Sequence, residues 1–404
     1  MPDVEFTNLL AVTVIALLAP LLLGLAPALR FPAVVLEIIA GVVVGPEALG
    51  WVEVDLPVSI VALLGLAFLL FLAGLEIDLH QLRGQVLRLA LLGYVATVLL
   101  GLAVGVGLRA VGWVDSPGLI AITLSATSLG LVVPVLKDAG QLETRLGQTT
   151  VAAASVADFA AIVLLSLLFS GSDASTGSRL VLLMSFAVLV ATTAVLVSYV
   201  ARSRRLDMTL IRLQDTTAQI RVRAAVVLLV AFVALAERFG LESILGAFMA
   251  GAVVGLLDKD SQSHPNFRVK LEAIGYGFLV PVFFVTSGLR LDLGGLVENP
   301  AALTRVPVFA LALLVVRGLP ALLFGRIFGR RAVLAAGLLQ ATSLPFIVTA
   351  TQIGVLTGLM SGVTAAAMIC AGLLSVVLFP VAALALLRTA PRERQSHEAA
   401  PHER

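Results

Sequence analysis

The chain has 404 residues, 59% hydrophobic and 13% charged, with a mean hydropathy of +1.07. A soluble domain carries roughly 25% charged residues, so a soluble fold is excluded, and no short alternating segments suggest a membrane β-barrel. The net charge of +2 and the lone Cys370 leave no internal disulfide and, without clustered histidines, no metal-cluster pattern; neither a cofactor nor a nucleic-acid partner is expected.

Apolar runs close to the ~20 residues that cross a bilayer recur from end to end. They predict an all-α polytopic membrane protein of 13 helices, near residues 8–28, 32–49, 57–76, 86–110, 117–136, 147–169, 179–201, 221–238, 242–257, 271–288, 303–325, 331–356 and 359–387. The first helix follows Asp3 and Glu5 with no basic residue, unlike a cleavable leader. Helix 2 carries AGVVVG (Ala40 to Gly45) and, about one turn in, Glu37, either an access-path group or a snorkelling residue. Helix 3 ends in GLEIDL (Gly74 to Leu79), where Glu76 and Asp78 are expected to be solvated.

Helix 5 holds ATSLGLVV (Ala126 to Val133), with Ser125, Thr127 and Ser128 ahead of Gly130, and is expected to end at Pro134. Helix 6 has Asp158 at its middle. Helix 7 leads into a basic loop, 202–223, which reads as a solvated connector. Helix 9 repeats the helix 2 segment as AGAVVG (Ala250 to Gly255), and helix 10 repeats that of helix 3 as GLRLDL (Gly288 to Leu293). Helix 11 buries Arg317, and helix 12 repeats helix 5 as ATSLPFIV (Ala341 to Val348), with Thr342, Ser343 and Pro345.

The three matches are collinear, and the members of each pair lie seven helices apart, so they run in opposite directions. This predicts two inverted six-helix repeats, about 8–169 and 221–388, within a membrane domain of residues 1–388. The helix at 179–201 and the loop 202–223 link them, and residues 389–404 form a short cytoplasmic tail. Inverted repeats are an architecture of secondary transporters. The basic residues sort with the same topology. With the N-terminus outside, only Arg109, Arg179, Arg238, Arg290 and Arg305 fall in outer loops, and all others but Arg317 fall inside. The expected location is the cell (inner) membrane, N-terminus out and C-terminus in.

Charges within a bilayer are costly and mark function or a structural ion pair. Asp158 and Arg317 are the two clearly deep ones, one in each repeat. Asp158 is the candidate ligand for a monovalent cation, and Arg317 is expected to serve structure or charge balance. Pro345 removes a backbone donor and disfavours helix before it, while Gly130 is expected to loosen helix 5 at the matching place. Ser125, Thr127 and Ser128, beside such a break, supply oxygens for a small dehydrated cation. Thr342, Ser343 and Pro345 form the partner segment.

At these residues the chain resembles the second family of monovalent cation:proton antiporters, which includes sodium–proton exchangers and glutathione-gated potassium efflux systems. The resemblance covers about residues 8–388 and is carried by PAVVLEIIAGVVVGPEALG, FLLFLAGLEIDLHQLR, LSATSLGLVVPVLKDAG, GQTTVAAASVADFAAIVLL, LGAFMAGAVVG and FLVPVFFVTSGLRLD. It implies a homodimer, crossed and partly unwound helices 5 and 12, and an elevator-like movement of an ion-binding core. It further implies that Asp158 binds cation and proton, that Thr127 with Ser125 and Ser128 forms the unwound stretch, and that Arg317 stands where a basic residue, usually lysine, occurs. Three departures stand out. Ala157 precedes the aspartate where members often have a polar or acidic residue, Arg317 replaces lysine, and helix 12 carries no acid after its break.

One titratable carboxylate then remains at the centre. If Asp158 holds either a cation (Na⁺, K⁺ or Li⁺) or a proton, exchange follows, and a single carboxylate suggests electroneutral stoichiometry. Such competition requires that Arg317 not pair tightly with Asp158. The rival expectation is an uncoupled cation pathway or a membrane sensor on the same scaffold. No paired catalytic acid and base lies within the spans, so an enzyme is not expected.

Overall fold

The computed structural model describes residues 5–25, 32–76, 84–138, 140–169, 176–201, 219–257, 265–298 and 300–388. These residues form helices and connecting turns, with no strand among them. In chain order the helices are α1 (Thr7–Leu25), α2 (Ala33–Val44), α3 (Leu56–Leu75), α4 (Gly84–Ala110), α5a (Pro117–Thr123), α5b (Leu129–Asp138), α6 (Arg145–Phe169) and α7 (Thr176–Ala201). They continue with α8 (Ile220–Arg238), α9 (Ser243–Leu257), α10 (Asn266–Leu289), α11 (Arg305–Arg326), α12a (Arg330–Gln340), α12b (Pro345–Leu356) and α13 (Gly362–Arg388). Two short helices, Leu293–Val297 and Pro300–Leu303, join α10 to α11.

Every predicted segment contains a helix or a broken pair. Among the described residues eight helices are long and apolar enough to cross a membrane, and α2, α9 and the Leu180–Thr193 stretch of α7 are shorter and apolar. The protein is therefore an all-helical, multi-pass membrane protein. Of the basic loop expected at 202–223, residues 202–218 lie outside the described residues and helix α8 already begins at Ile220; the tail 389–404 lies outside them too.

Local chemistry sets several helix ends. Asp55 caps α3, its Oδ1 accepting from the Val58 amide at 3.0 Å, with Pro57 in the first turn. Ser116 caps α5a in the same way, through the Leu119 amide at 3.3 Å. Helix α2 stops at Val44, earlier than the expected 49, because Pro46 disfavours helix at Gly45. The chain then turns back, the Gly50 amide bonding to Gly45 O at 2.8 Å with Gly50 at φ +63°.

Two helices carry a wider π turn. In α10 it spans Gly275–Leu279, and in α11 it spans Leu314–Gly318, followed by a 3₁₀ stretch from Leu319 to Arg326. Each π turn ends two residues before a proline, Pro281 or Pro320. A proline lacks the N–H that would close the normal helical ladder, which favours such local irregularity.

The packing between halves rests on two glycine crossings. Helices α2 and α10 cross at Gly41 and Gly288, so closely that a Cβ on Gly41 would overlap Val285 O and one on Gly288 would overlap Ile38 O. Helices α3 and α9 cross at Gly74 and Gly251, where a Cβ would overlap Phe248 O or Phe71 O. Small residues allow such approaches where lipid gives helices no hydrophobic reason to associate. The two crossings map onto each other. Under the offsets of the repeated segments Ile38 matches Phe248, Gly41 matches Gly251, Phe71 matches Val285 and Gly74 matches Gly288. This exchange of partners is what a two-fold relation between the halves requires.

Candidate functional site

Both broken helices fail at their hydroxyl-rich segments. Between α5a and α5b, residues Leu124–Ser128 leave the helical path, and between α12a and α12b residues Ala341–Leu344 do so. Pro345 opens α12b, where its missing N–H costs nothing. The break in the first half lies before Gly130, not at it, and the helix continues through Pro134 to Asp138. The reason is that the Thr127 amide and hydroxyl and the Ser128 amide bond to other helices instead of closing the ladder of their own.

Thr127 is the hub of that exchange. Its amide donates to Asp158 Oδ1 at 3.0 Å, and its hydroxyl donates to Gln340 O at 2.7 Å, the last residue of α12a. The same hydroxyl accepts from Arg317 Nε at 2.9 Å and Nη2 at 2.5 Å. Arg317 Nη1 reaches Thr97 Oγ1 on α4 at 3.3 Å, and that hydroxyl donates to Gly93 O. Arg317 is 1% exposed and lies on the π turn of α11. It therefore joins α4, α11 and the helix 5 break, and reaches Asp158 through Thr127 rather than by a bond of its own.

The two breaks also touch directly, the Ser128 amide donating to Thr342 O at 2.9 Å. Asp158 on α6 sits just ahead of α5b and takes one of the amides a helix start leaves open. On the other side the Ser343 amide donates to Ser375 Oγ of α13 at 3.2 Å, just ahead of α12b. Ser125 donates to Ile122 O at 2.8 Å and pairs with the Tyr94 hydroxyl at 3.1 Å. Thr342 returns its hydroxyl to Leu338 O of its own helix.

A cavity of about 290 Å³ reaches this centre. Its walls come from α2 with Glu37, the second half of α3 with Glu76, α10 with Tyr276 and Phe284, the start of α5b, Asp158, and Pro345 with Phe346. Of the candidate residues, Asp158, Thr127, Ser128, Pro345 and Glu37 border the cavity, whereas Ser125, Arg317, Thr342 and Ser343 lie behind its wall. Glu37 is 4% exposed. Glu76, expected to be solvated, has a buried Oε2 with no partner among the described residues, because α9 and α10 pack against the end of α3. Asp78 lies outside the described residues.

The arrangement presents a carboxylate and hydroxyls to a cavity whose other walls are largely apolar. Those are hard oxygen donors suited to a small cation, and the carboxylate can accept a proton instead. Sequence patterns did not single out Tyr94, Thr97, Gln340 or Ser375, which are neutral groups inside apolar spans. Gln340 adjoins the ATSL segment and could have been found by extending it one residue.

Comparison with known proteins matches residues 13–388 to the family described as "Sodium/hydrogen exchanger, transmembrane". YjbQ of Bacillus subtilis is 31% identical over 415 residues, covering 98% of this chain and 65% of that protein, so the chain spans about two thirds of its length. The Na(+)/H(+)-K(+) antiporter GerN of Bacillus cereus is 28% identical over 89% of this chain and 90% of its own. The sodium proton antiporter MjNhaP1 of Methanocaldococcus jannaschii shares the fold, with a TM-score of 0.67 at 19% identity over 95% of this chain and 98% of that one.

Proposed function

Because the chain belongs to the sodium/hydrogen exchanger family, we propose that it exchanges a monovalent cation, Na⁺ or K⁺, for H⁺, with Asp158 as the group both compete for. The observation that carries this reading is the placement of the Asp158 carboxylate on the cavity wall, tied to the Thr127 amide and to no basic side chain. A carboxylate locked to a guanidinium would give up its proton too readily to compete. Here Arg317 is directed to the Thr127 hydroxyl instead. Its charge offsets the centre while leaving the Asp158 oxygens to cation or proton. Ser128 and the main chain at Thr127 complete the cation's shell, the Thr127 hydroxyl being taken up by Arg317 and Gln340 O, and the α12 break braces the crossing from behind.

Coupling follows from cost. The site crosses the membrane barrier when cation or proton neutralises the carboxylate, and an empty carboxylate crosses at a large electrostatic penalty. One carboxylate at the centre supports one cation per proton, hence electroneutral exchange. The two glycine crossings hold α2, α3, α9 and α10 together as a scaffold, against which α4–α6 and α11–α13 would move as an elevator. The cavity runs toward the start of α2 and the end of α3. With the N-terminus outside, that end faces the cytoplasm, so this conformation is inward-facing. A homodimer in the cell membrane, in contact with its lipids, completes the reading. Glu37, on the route to Asp158, serves as an access group.

The test is proton flux in acidified proteoliposomes carrying an internal pH dye, voltage clamped by an ionophore. Adding Na⁺, K⁺ or Li⁺ is expected to alkalinise the interior, and folded Asp158→Asn protein is expected to be silent. An unchanged response in Asp158→Asn would sink the assignment of the site. No response to any cation from folded parent protein would instead favour an uncoupled pathway or a sensor.

A further inference from the structure

We infer that the far half of the ion route is a second, narrow polar crevice, and that one hydrogen bond between Gln352 and Ser287 holds it shut. The inference rests on the exchange reading, which needs a route to each face of the membrane. The crevice continues the Asp158 cavity along the same three helices. On α3 the cavity touches Leu69 to Glu76 and the crevice Ala62 to Leu66. On α10 the cavity ends at Phe284, and the crevice takes in Thr286, Ser287 and Arg290. On α12b the cavity reaches Pro345 and Phe346, and the crevice reaches Gln352, two turns on.

The crevice holds about 10 Å³, room for a single water at most. Gln352 Nε2 donates to Ser287 Oγ at 3.2 Å, and Ser287 donates in turn to Phe283 O at 2.7 Å. This bond ties α12b, in the moving part, to α10 of the scaffold. Thr286 is the telling neighbour. Elsewhere in the bundle Thr97, Thr150, Thr349 and Thr351 return their hydroxyls to their own helices. The Thr286 hydroxyl, 1% exposed, has no partner among the described residues. An unpartnered hydroxyl is expensive at membrane depth, and valine would pack as well.

Parting α12b from α10 would free a lone pair of Ser287 Oγ beside Thr286 Oγ1, and Gln352, released from Ser287, could turn its amide oxygen into the opening. Three neutral oxygens could then replace part of a cation's water shell during passage. Arg290 closes the far end, held by Ser59 Oγ at 3.3 Å. Its positive charge would keep a cation from settling there, whereas the cavity side carries Glu37, Glu76 and Asp158.

The experiment labels thiols in proteoliposomes with a membrane-impermeant methanethiosulfonate, on a Cys370→Ala background. Ala33→Cys marks the cavity face. Thr286→Cys is expected to react slowly, only from the opposite face, and faster during cation-driven turnover. Adding Gln352→Leu or Ser287→Ala should raise its labelling rate at least tenfold, and labelling should block exchange. Labelling of Thr286→Cys from the Ala33 face, or a rate unchanged by both added substitutions, would overturn the inference. The two substitutions are independent, so misfolding of one leaves the other to decide. The face of labelling is read without transport. A parent lacking cation-driven proton flux would thus remove the exchange reading while the crevice is still judged by its labelling.

Discussion

At the glycine crossings the two halves of the chain are interchangeable. Gly41 against Gly288 repeats Gly251 against Gly74, carbonyl for carbonyl. At the helix breaks they are not. Ahead of α5b a carboxylate, Asp158, receives the Thr127 amide, whereas ahead of α12b a hydroxyl, Ser375, receives the Ser343 amide. Thr127 sends its hydroxyl across to Gln340, while Thr342 folds its own back. The symmetry is kept where shape decides packing and given up where charge enters. Two buried carboxylates at the adjoining breaks would repel each other, and neutral Ser375 caps the second break without that conflict.

The strongest test of this difference copies one half onto the other. Asp158→Ser gives both breaks a hydroxyl and is expected to reduce cation-driven proton flux to that of empty liposomes, while Ser375→Ala keeps measurable flux. Equal losses in the two would erase the distinction. The reverse copy, Ser375→Asp, sharpens it. A second carboxylate should make exchange voltage-dependent, read as a potential-driven change in rate.

Next in size is the hub. Thr127→Val strips Arg317 of its main acceptor, and a hydrogen bond to a charged group is worth about 1.5–3 kcal/mol. Thermal unfolding in detergent should show a loss of that order, larger than for Thr97→Val, whose bond to Arg317 is longer at 3.3 Å. Should Thr97→Val prove the costlier, Thr127 is not the hub.

The crossings come third. Gly41→Ala and Gly251→Ala each force a methyl onto a facing carbonyl, an overpacking that costs about 1–3 kcal/mol. Their unfolding midpoints should fall together, and a large disparity would break the equivalence of the two crossings.

The smallest effect concerns Glu242, in the turn between α8 and α9. Burial raises its carboxyl above the ordinary 4.5. A raised acid favours the folded state most below its unfolded value, and that contribution is lost as pH rises through the folded value. Glu242→Gln should flatten this decline in a pH series of unfolding midpoints, and an unaltered slope would assign the decline elsewhere.

Much of this organisation is legible from residue order. Thirteen apolar runs announce the helices because a bilayer demands length and hydropathy of each. Asp158 and Arg317 stand out because charge is rare at that depth. What stayed hidden is neutral. Tyr94, Thr97 and Ser375 are polar atoms in apolar spans, and nothing in their spacing says whether they bond to their own helix or to another. The helix 5 break was expected at Gly130, whose flexibility suggested it, yet cross-bonds from Ser125, Thr127 and Ser128 set it earlier. Glu76 sits at a helix end, which suggests water, but only the fold reveals that α9 and α10 pack against that end.

The π turns of α10 and α11 carry a consequence of their own. A π turn holds one residue more than the helix around it needs, so each acts as a one-residue insertion confined to a few positions. Successive residues of a regular helix differ by roughly 100° in direction. Deleting a residue from Leu314–Gly318 would restore regular winding and draw Arg317 one place toward the preceding part of α11, off the direction the wider turn gives it. The length of this turn thus acts as a phase setting, by which a single-codon deletion could uncouple the guanidinium from Thr127 with the rest of the bundle's composition intact.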